Sequence, residues 1–102
     1  MLTDLDDFYC FAQVVEHGGF SAAERATDIP KSKLSRRVHN LEERLGVRLI
    51  QRSSRHFAVT DIGINVYRHA QVMMTAAQAA HDLVDHLSIQ PRGVIKMSLP
   101  VS

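Results

Sequence analysis

The chain has 102 residues, with 12 Lys and Arg, 11 Asp and Glu, six His and one Cys, for a formal net charge of +1. At roughly 100–200 residues per domain, that is one small domain or one domain with an extension. The single Cys excludes a disulfide framework and a cysteine-based metal finger, and no run approaches the ~18 uninterrupted apolar residues of a membrane span.

With 45% hydrophobic and 23% charged residues, the chain is expected to fold. The N-terminus, MLTDLDDF, is acidic and lacks the basic and apolar regions of a signal peptide, so a reducing, cytoplasmic location is expected.

Leu5, Phe8, Ala12 and Val15 recur at a helical period, with Phe11 and Val14 widening the stripe. Thr3 or Asp4 is placed to cap this first helix, and Gly18-Gly19 ends it. Ser21-x-x-Glu24, preceded by Phe20, has the form of a capping box and predicts a second helix over about residues 21–27. Asp28-Ile29-Pro30 breaks it, because Pro disfavours helical geometry in the residue before it.

A third helix is predicted from Lys31 or Ser32, with Leu34, Val38, Leu41 and Leu45 on one face and Gly46 in the left-handed position past its end. Its outward face holds Ser32, Lys33, Ser35, Arg36, Arg37, His39 and Asn40. The period then changes. Residues 47–52 and 56–59 read as two short strands, with Ser53-Ser54-Arg55 as the turn between them.

Thr60 is placed to cap a fourth helix over about residues 61–88, about 42 Å long at ~1.5 Å per residue. Ile62, Val66, His69, Met73, Ala76, Ala80, Leu83 and Leu87 form an a/d heptad, and Tyr67, Ala70, Met74, Ala77, His81 and Val84 widen it. So small a domain cannot cover that face along its whole length, which predicts packing on the same helix of a second copy. Pro91-Arg92-Gly93 reads as a linker. Residues 94–99 read as a strand without a partner, which predicts a chain cut just inside a further domain.

The charge is unevenly placed along these elements. Residues 1–30 sum to −5, residues 31–55 to +6, and residues 56–102 to zero. A local basic surface is what an anion meets within a Debye length of ~8–10 Å. Three helices and a hairpin make a winged helix-turn-helix, whose third helix enters the DNA major groove. Ser32, Lys33 and Arg36 share a face near the start of that helix, suited to guanine and other base edges. Arg52 and Arg55 at the hairpin would reach phosphates or the minor groove.

The stretch GGFSAAERATDIPKSKLSRRVHNLEERLGVRLIQRSSRHFAVTDIG resembles the signature of the LysR-type transcriptional regulators. The resemblance rests on Phe20, Ala23, Leu34-Ser35-Arg36, Leu41-Glu42, Leu45-Gly46, Leu49, Arg52, Thr60 and Gly63, without a gap. It implies a bacterial, nucleoid-associated regulator that binds an interrupted palindrome in promoter DNA as a homodimer, or a higher oligomer when full length. It further implies a missing C-terminal domain that binds a small-molecule effector.

The domain layout is then 1–60 for a mainly α, winged helix-turn-helix DNA-binding domain, 61–89 for the linker and dimerisation helix, and 90–102 for a hinge and the first strand of the effector domain. The expected DNA contacts are Lys31, Ser32, Lys33, Ser35, Arg36 and His39, with Arg52, Ser54 and Arg55 from the wing. The expected dimer contacts are Val66, Met73, Ala76, Ala80, Leu83 and Leu87.

The chain departs from the family at Gly19, where Ser is common, at Thr27 for Leu and at Ile50 for Phe. Pro30-Lys31-Ser32-Lys33 replaces the frequent Ser-Gln-Pro-Ala type of start, so the operator sequence cannot be borrowed from other members.

No other chemistry is indicated. No two His stand at i, i+3 or i+4, and no phosphate loop, nucleophile elbow or paired carboxylate site is present. Cys10 reads as a small buried hydrophobe. Neither enzyme activity, nor a metal, nor a cofactor is expected. Two other uses fit the residues: a winged-helix module for protein–protein assembly, and a dimeric winged-helix regulator without an effector domain.

Overall fold

The computed structural model describes residues 5–52 and 55–89. The expected cap at Thr3 or Asp4, the turn residue Ser54 and the strand at 94–99 lie outside them. The elements are α1 (Leu5–His17), α2 (Phe20–Thr27), α3 (Lys31–Leu45) and α4 (Asp61–Ile89). The chain divides into two units, Met1–Val72 and Met73–Ser102, which are taken separately.

In the first unit α1, α2 and α3 pack pairwise. Phe11 and Val14 from α1, Ala23 from α2, and Leu34, Val38 and Leu41 from α3 are buried in the core with Leu49 and Ile50, whereas Phe8 and Val15 of the predicted α1 stripe are partly buried and Leu5, its first member, is 46% exposed. Each large apolar side chain buried in this way contributes on the order of 1.5–3 kcal/mol. Leu45, the last member of the α3 stripe, is 40% exposed. Cys10 is buried and free, and burial pushes its thiol pKa up, against the opposing pull of Arg37 and Lys33.

The capping box expected at Ser21-x-x-Glu24 does not form. Helix α2 starts one residue earlier, at Phe20, with Gly19 as its N-cap and no side-chain cap. Gly18 (φ 80°) and Gly19 (φ 153°) carry the chain from α1 into α2 through conformations that side chains disfavour, so Ser21 falls inside the first turn. Phe20 packs edge-on against Phe57, ring centres 6.3 Å apart.

The expected strands at 47–52 and 56–59 reduce to one antiparallel bridge, Ile50 with Val59. It is flanked by Gln51 N–H donating to Ala58 C=O (2.9 Å) and Thr60 N–H to Leu49 C=O (3.0 Å). On the Leu49 side the ladder goes no further, because the Leu49 N–H that would return to the Thr60 carbonyl is committed elsewhere. Leu49 N–H and Ile50 N–H both donate to Glu42 Oε2, at 2.8 and 3.2 Å. In such a bridge Ile50 N–H points away from Val59, and Glu42 receives it.

Thr60 caps α4 as expected. Its hydroxyl oxygen accepts from Gly63 N–H at 3.0 Å, and its proton is within reach of the Arg48 carbonyl at 2.7 Å. Val66 and Tyr67 pack against the core of their own chain, and Ala70 is fully buried. Val66, expected at the dimer interface, is thus partly buried against its own domain, where the first turns of α4 meet the core. In the second unit the helix leaves Leu83 and Leu87 about 60–65% exposed. Ala76 and Ala80 are exposed and Met73 is half-buried.

Candidate nucleic-acid interface

The entry into α3 sets up the site. Thr27 Oγ1 donates to Ala23 C=O at 2.8 Å and accepts from Ile29 N–H at 3.2 Å. Asp28 adopts the left-handed conformation (φ 63°) and its N–H returns to Glu24 C=O, closing α2. Thr27 thus tightens a turn that Leu would leave without a side-chain bond. Pro30 then opens α3: its carbonyl accepts from both Lys33 N–H and Leu34 N–H at 3.0 Å. No side chain caps α3, and no acid stands in its first turn. The positive end of the helix dipole and the first basic side chains therefore act together.

On the outer face of α3, Ser32, Arg36 and His39 repeat at i, i+4 and i+7. They line one recess with Ser35, Arg48 and Arg52. Six polar or cationic groups, from α3 and from the segment leading into the wing, thus converge on one surface. Among the described residues, the side chains of Ser32, Lys33, Ser35 and Arg36 have no hydrogen-bond or ion-pair partner, and all four residues are exposed. His39 Nε2 stands 4.0 Å from Glu43 Oε2, an exposed and weak pairing.

The expected contacts do not all gather there. Lys33 lies outside the recess. Lys31 Nζ donates to Ser21 Oγ of α2 at 3.3 Å. Arg55 is exposed but outside the recess, and Ser54 is outside the described residues. Arg48, which the sequence does not single out, is inside. Arg52 lines the recess while one of its guanidinium nitrogens pairs with Glu42 Oε1. It is therefore part support and part surface.

Two other bases of the segment are committed to the interior. Arg37 Nη1 donates to Asp7 Oδ1 at 3.2 Å, and Arg44 Nη1 to Asp7 Oδ2 at 2.6 Å. The Asp7 side chain is fully buried. The sequence does contain the signal. Asp7 interrupts the core-facing stripe of α1 one helical turn before Cys10 and Phe11, and Arg37 and Arg44 stand two turns apart on α3. Five bases of residues 31–55 have no carboxylate partner among the described residues: Lys31, Lys33, Arg36, Arg48 and Arg55. No cluster of three or more His, Cys, Asp or Glu among the described residues could hold a metal ion, and no described helix is long and apolar enough to cross a membrane.

Residues 5–64 match the family model described as "Bacterial regulatory helix-turn-helix protein, lysR family". An "HTH-type transcriptional regulator" of Xanthomonas campestris pv. campestris (strain 8004) is 37% identical over 102 residues, all of this chain and 30% of that relative. The "Probable HTH-type transcriptional regulator LtrA" of Klebsiella pneumoniae is 38% identical over 96 residues, 94% of this chain and 31% of that relative. The chain thus spans about 30% of the length of the curated relatives it matches.

Among solved structures, "BenM_DBD/catB site 1 DNA Complex" superposes with a TM-score of 0.75 at 29% identity, over 84% of this chain and 96% of that one. Full-length AphB, "a member of the LTTR protein family", superposes with a TM-score of 0.69 at 29% identity, over 78% of this chain and 28% of that one. The chain belongs to the lysR family of bacterial regulatory helix-turn-helix proteins.

Proposed function

We propose that this chain binds double-stranded promoter DNA sequence-specifically, as a homodimer, and serves a LysR-type transcriptional regulator as its DNA-binding part. The observation that carries the reading is the recess of Ser32, Ser35, Arg36, His39, Arg48 and Arg52 on the outer face of α3. Arg36 pairs with guanine edges and the serines with several bases, while Arg48 and Arg52 lie where phosphates pass. The similarity to BenM_DBD bound to catB site 1 DNA supports the same use of the fold.

Residues 1–60 then bind DNA, 61–89 dimerise, and 90–102 lead into an effector-binding domain. The greater length of the relatives supports that last assignment. A regulator of this kind works in the cytoplasm on the nucleoid and carries out no catalysis.

Arg36 is the cleanest probe, because it supports nothing else among the described residues. Arg36→Ala is expected to leave the fold intact by circular dichroism and to weaken binding to a selected site about 5–150-fold, the ~1–3 kcal/mol of one base contact. Wild-type affinity in fluorescence anisotropy would remove Arg36 from the interface.

The exposed apolar face of the second unit supports dimerisation through Met73, Ala76, Ala80, Leu83 and Leu87. Ala80→Glu puts a charge into that seam, at a desolvation cost of several kcal/mol, and is expected to weaken the dimer by at least about tenfold. Equilibrium sedimentation checks this, and an unchanged association constant would place the interface elsewhere.

A further inference from the structure

The Asp7 pairing does more than join two helices. Asp7 exposes none of its side chain, whereas Arg37 and Arg44 keep 30% and 46% of theirs at the surface. The two arginines are seven residues apart, so they sit on one flank of α3 about 10.5 Å apart along its axis. That flank lies about 100° round the helix from Arg36, beside the recess and not within it. A buried carboxylate cannot stand without its counter-charges, so both guanidinium groups are held back toward α1. Arg37 Nε is also buried, without a hydrogen-bond partner among the described residues, so Arg37 gives up one donor to hold this position.

We propose that Asp7 is a positioning residue that withholds Arg37 and Arg44 from phosphate contact and so keeps non-specific DNA affinity low. The inference rests on the DNA-binding reading above. Phosphate contacts carry no sequence information, and each one adds affinity for every duplex alike. Two of the eight bases of residues 31–55 are removed from that term by one acid of α1. Because genomic DNA offers a vast excess of non-specific sites, lowering that term helps a regulator find its own. Without Asp7, the long aliphatic stem lets Arg37 swing outward along the DNA flank, and Arg44 loses its Asp7 bond.

The test uses a random-sequence duplex titrated over a salt series by the whole chain, each variant first checked for folding by circular dichroism. Asp7→Asn is expected to steepen the log–log salt slope by about 0.9 for each phosphate recruited, up to about 1.8. Between about 50 and 200 mM salt, its affinity then falls about 3.5-fold further per phosphate than the wild type's. Adding Arg37→Gln and Arg44→Gln to Asp7→Asn should return the slope to the wild-type value. A general loss of structure would weaken binding without steepening it.

Arg44→Gln in the wild-type background keeps the Asp7–Arg37 pair and covers the case in which Asp7→Asn does not fold. Its slope should equal the wild-type slope, and a fall of about 0.9 would show Arg44 on a phosphate and overturn the proposal. A folded Asp7→Asn with an unaltered slope overturns it as well. A wild-type chain with no affinity for the duplex at low salt overturns the DNA-binding reading and, with it, this inference.

Discussion

Replacing Gly63 with Ala is expected to destabilise the protein by about 3 kcal/mol, although the residue lies in a helix where Ala is ordinarily better by about 1 kcal/mol. The sign is reversed by what surrounds it. A Cβ on Gly63 would fall inside contact distance of the Leu49 carbonyl oxygen, 2.6 Å from Val59 Cγ1 and 3.0 Å from Thr60 Oγ1. Leu49 C=O is backbone, and it already accepts Thr60 N–H at 3.0 Å, so it cannot yield without opening the bridge. The same movement disturbs the Thr60 cap and the Leu49 N–H bond to Glu42. For a domain of this size the thermal midpoint should drop by roughly 12–24 °C, and a midpoint equal to or above the wild type's would refute this packing.

Glu42→Ala should be as damaging, at about 3–5 kcal/mol by chemical denaturation. Glu42 is almost fully buried between α3 and the wing. One carboxylate oxygen accepts Leu49 N–H and Ile50 N–H, and the other pairs with Arg52. Removing it strands two buried donors in a chain segment that has no ladder to satisfy them. The Arg52 half of the pair counts for less, because 44% of that side chain is in solvent and exposed ion pairs contribute only ~0–1 kcal/mol. Arg52→Ala should therefore cost under about 1 kcal/mol of stability, which lets its effect on DNA binding be measured separately. If Arg52→Ala and Glu42→Ala destabilised equally, the ion pair and not the backbone bonds would be holding the wing.

These two residues mark where the sequence could be read and where it could not. The stripes of α1 and α3 were legible because period alone placed Phe11, Val14, Leu34, Val38 and Leu41 inside, and the structure buries all five. Gly46 and Thr60 were legible because left-handed C-caps and hydroxyl N-caps are local chemistry. The wing was only half legible. Alternation marked residues 47–52 as extended, but the acceptor for Leu49 and Ile50 is Glu42, on another element.

Ser21-x-x-Glu24 matched a local pattern that Gly18 and Gly19 pre-empted by starting the helix sooner. Asp7 is marked by its place in the apolar stripe of α1, but its pairing with Arg37 and Arg44 is not, for a different reason. Charges read in chain order belong to different segments, and only folding brings an acid of α1 against two bases of α3. The same fact changes the charge accounting. The +6 of residues 31–55 is a total over residues, whereas the surface offered to an anion is the smaller set that the interior leaves unpaired.

The central claim is that the outer face of α3 reads DNA sequence. Selection of bound duplexes from a random library, by this chain at moderate salt, tests it most directly. Enrichment of a dyad-symmetric site with a spacer between half-sites is expected, with loss of preference at one position in each half-site for Arg36→Ala. Bound sequences no different from the starting library would contradict it.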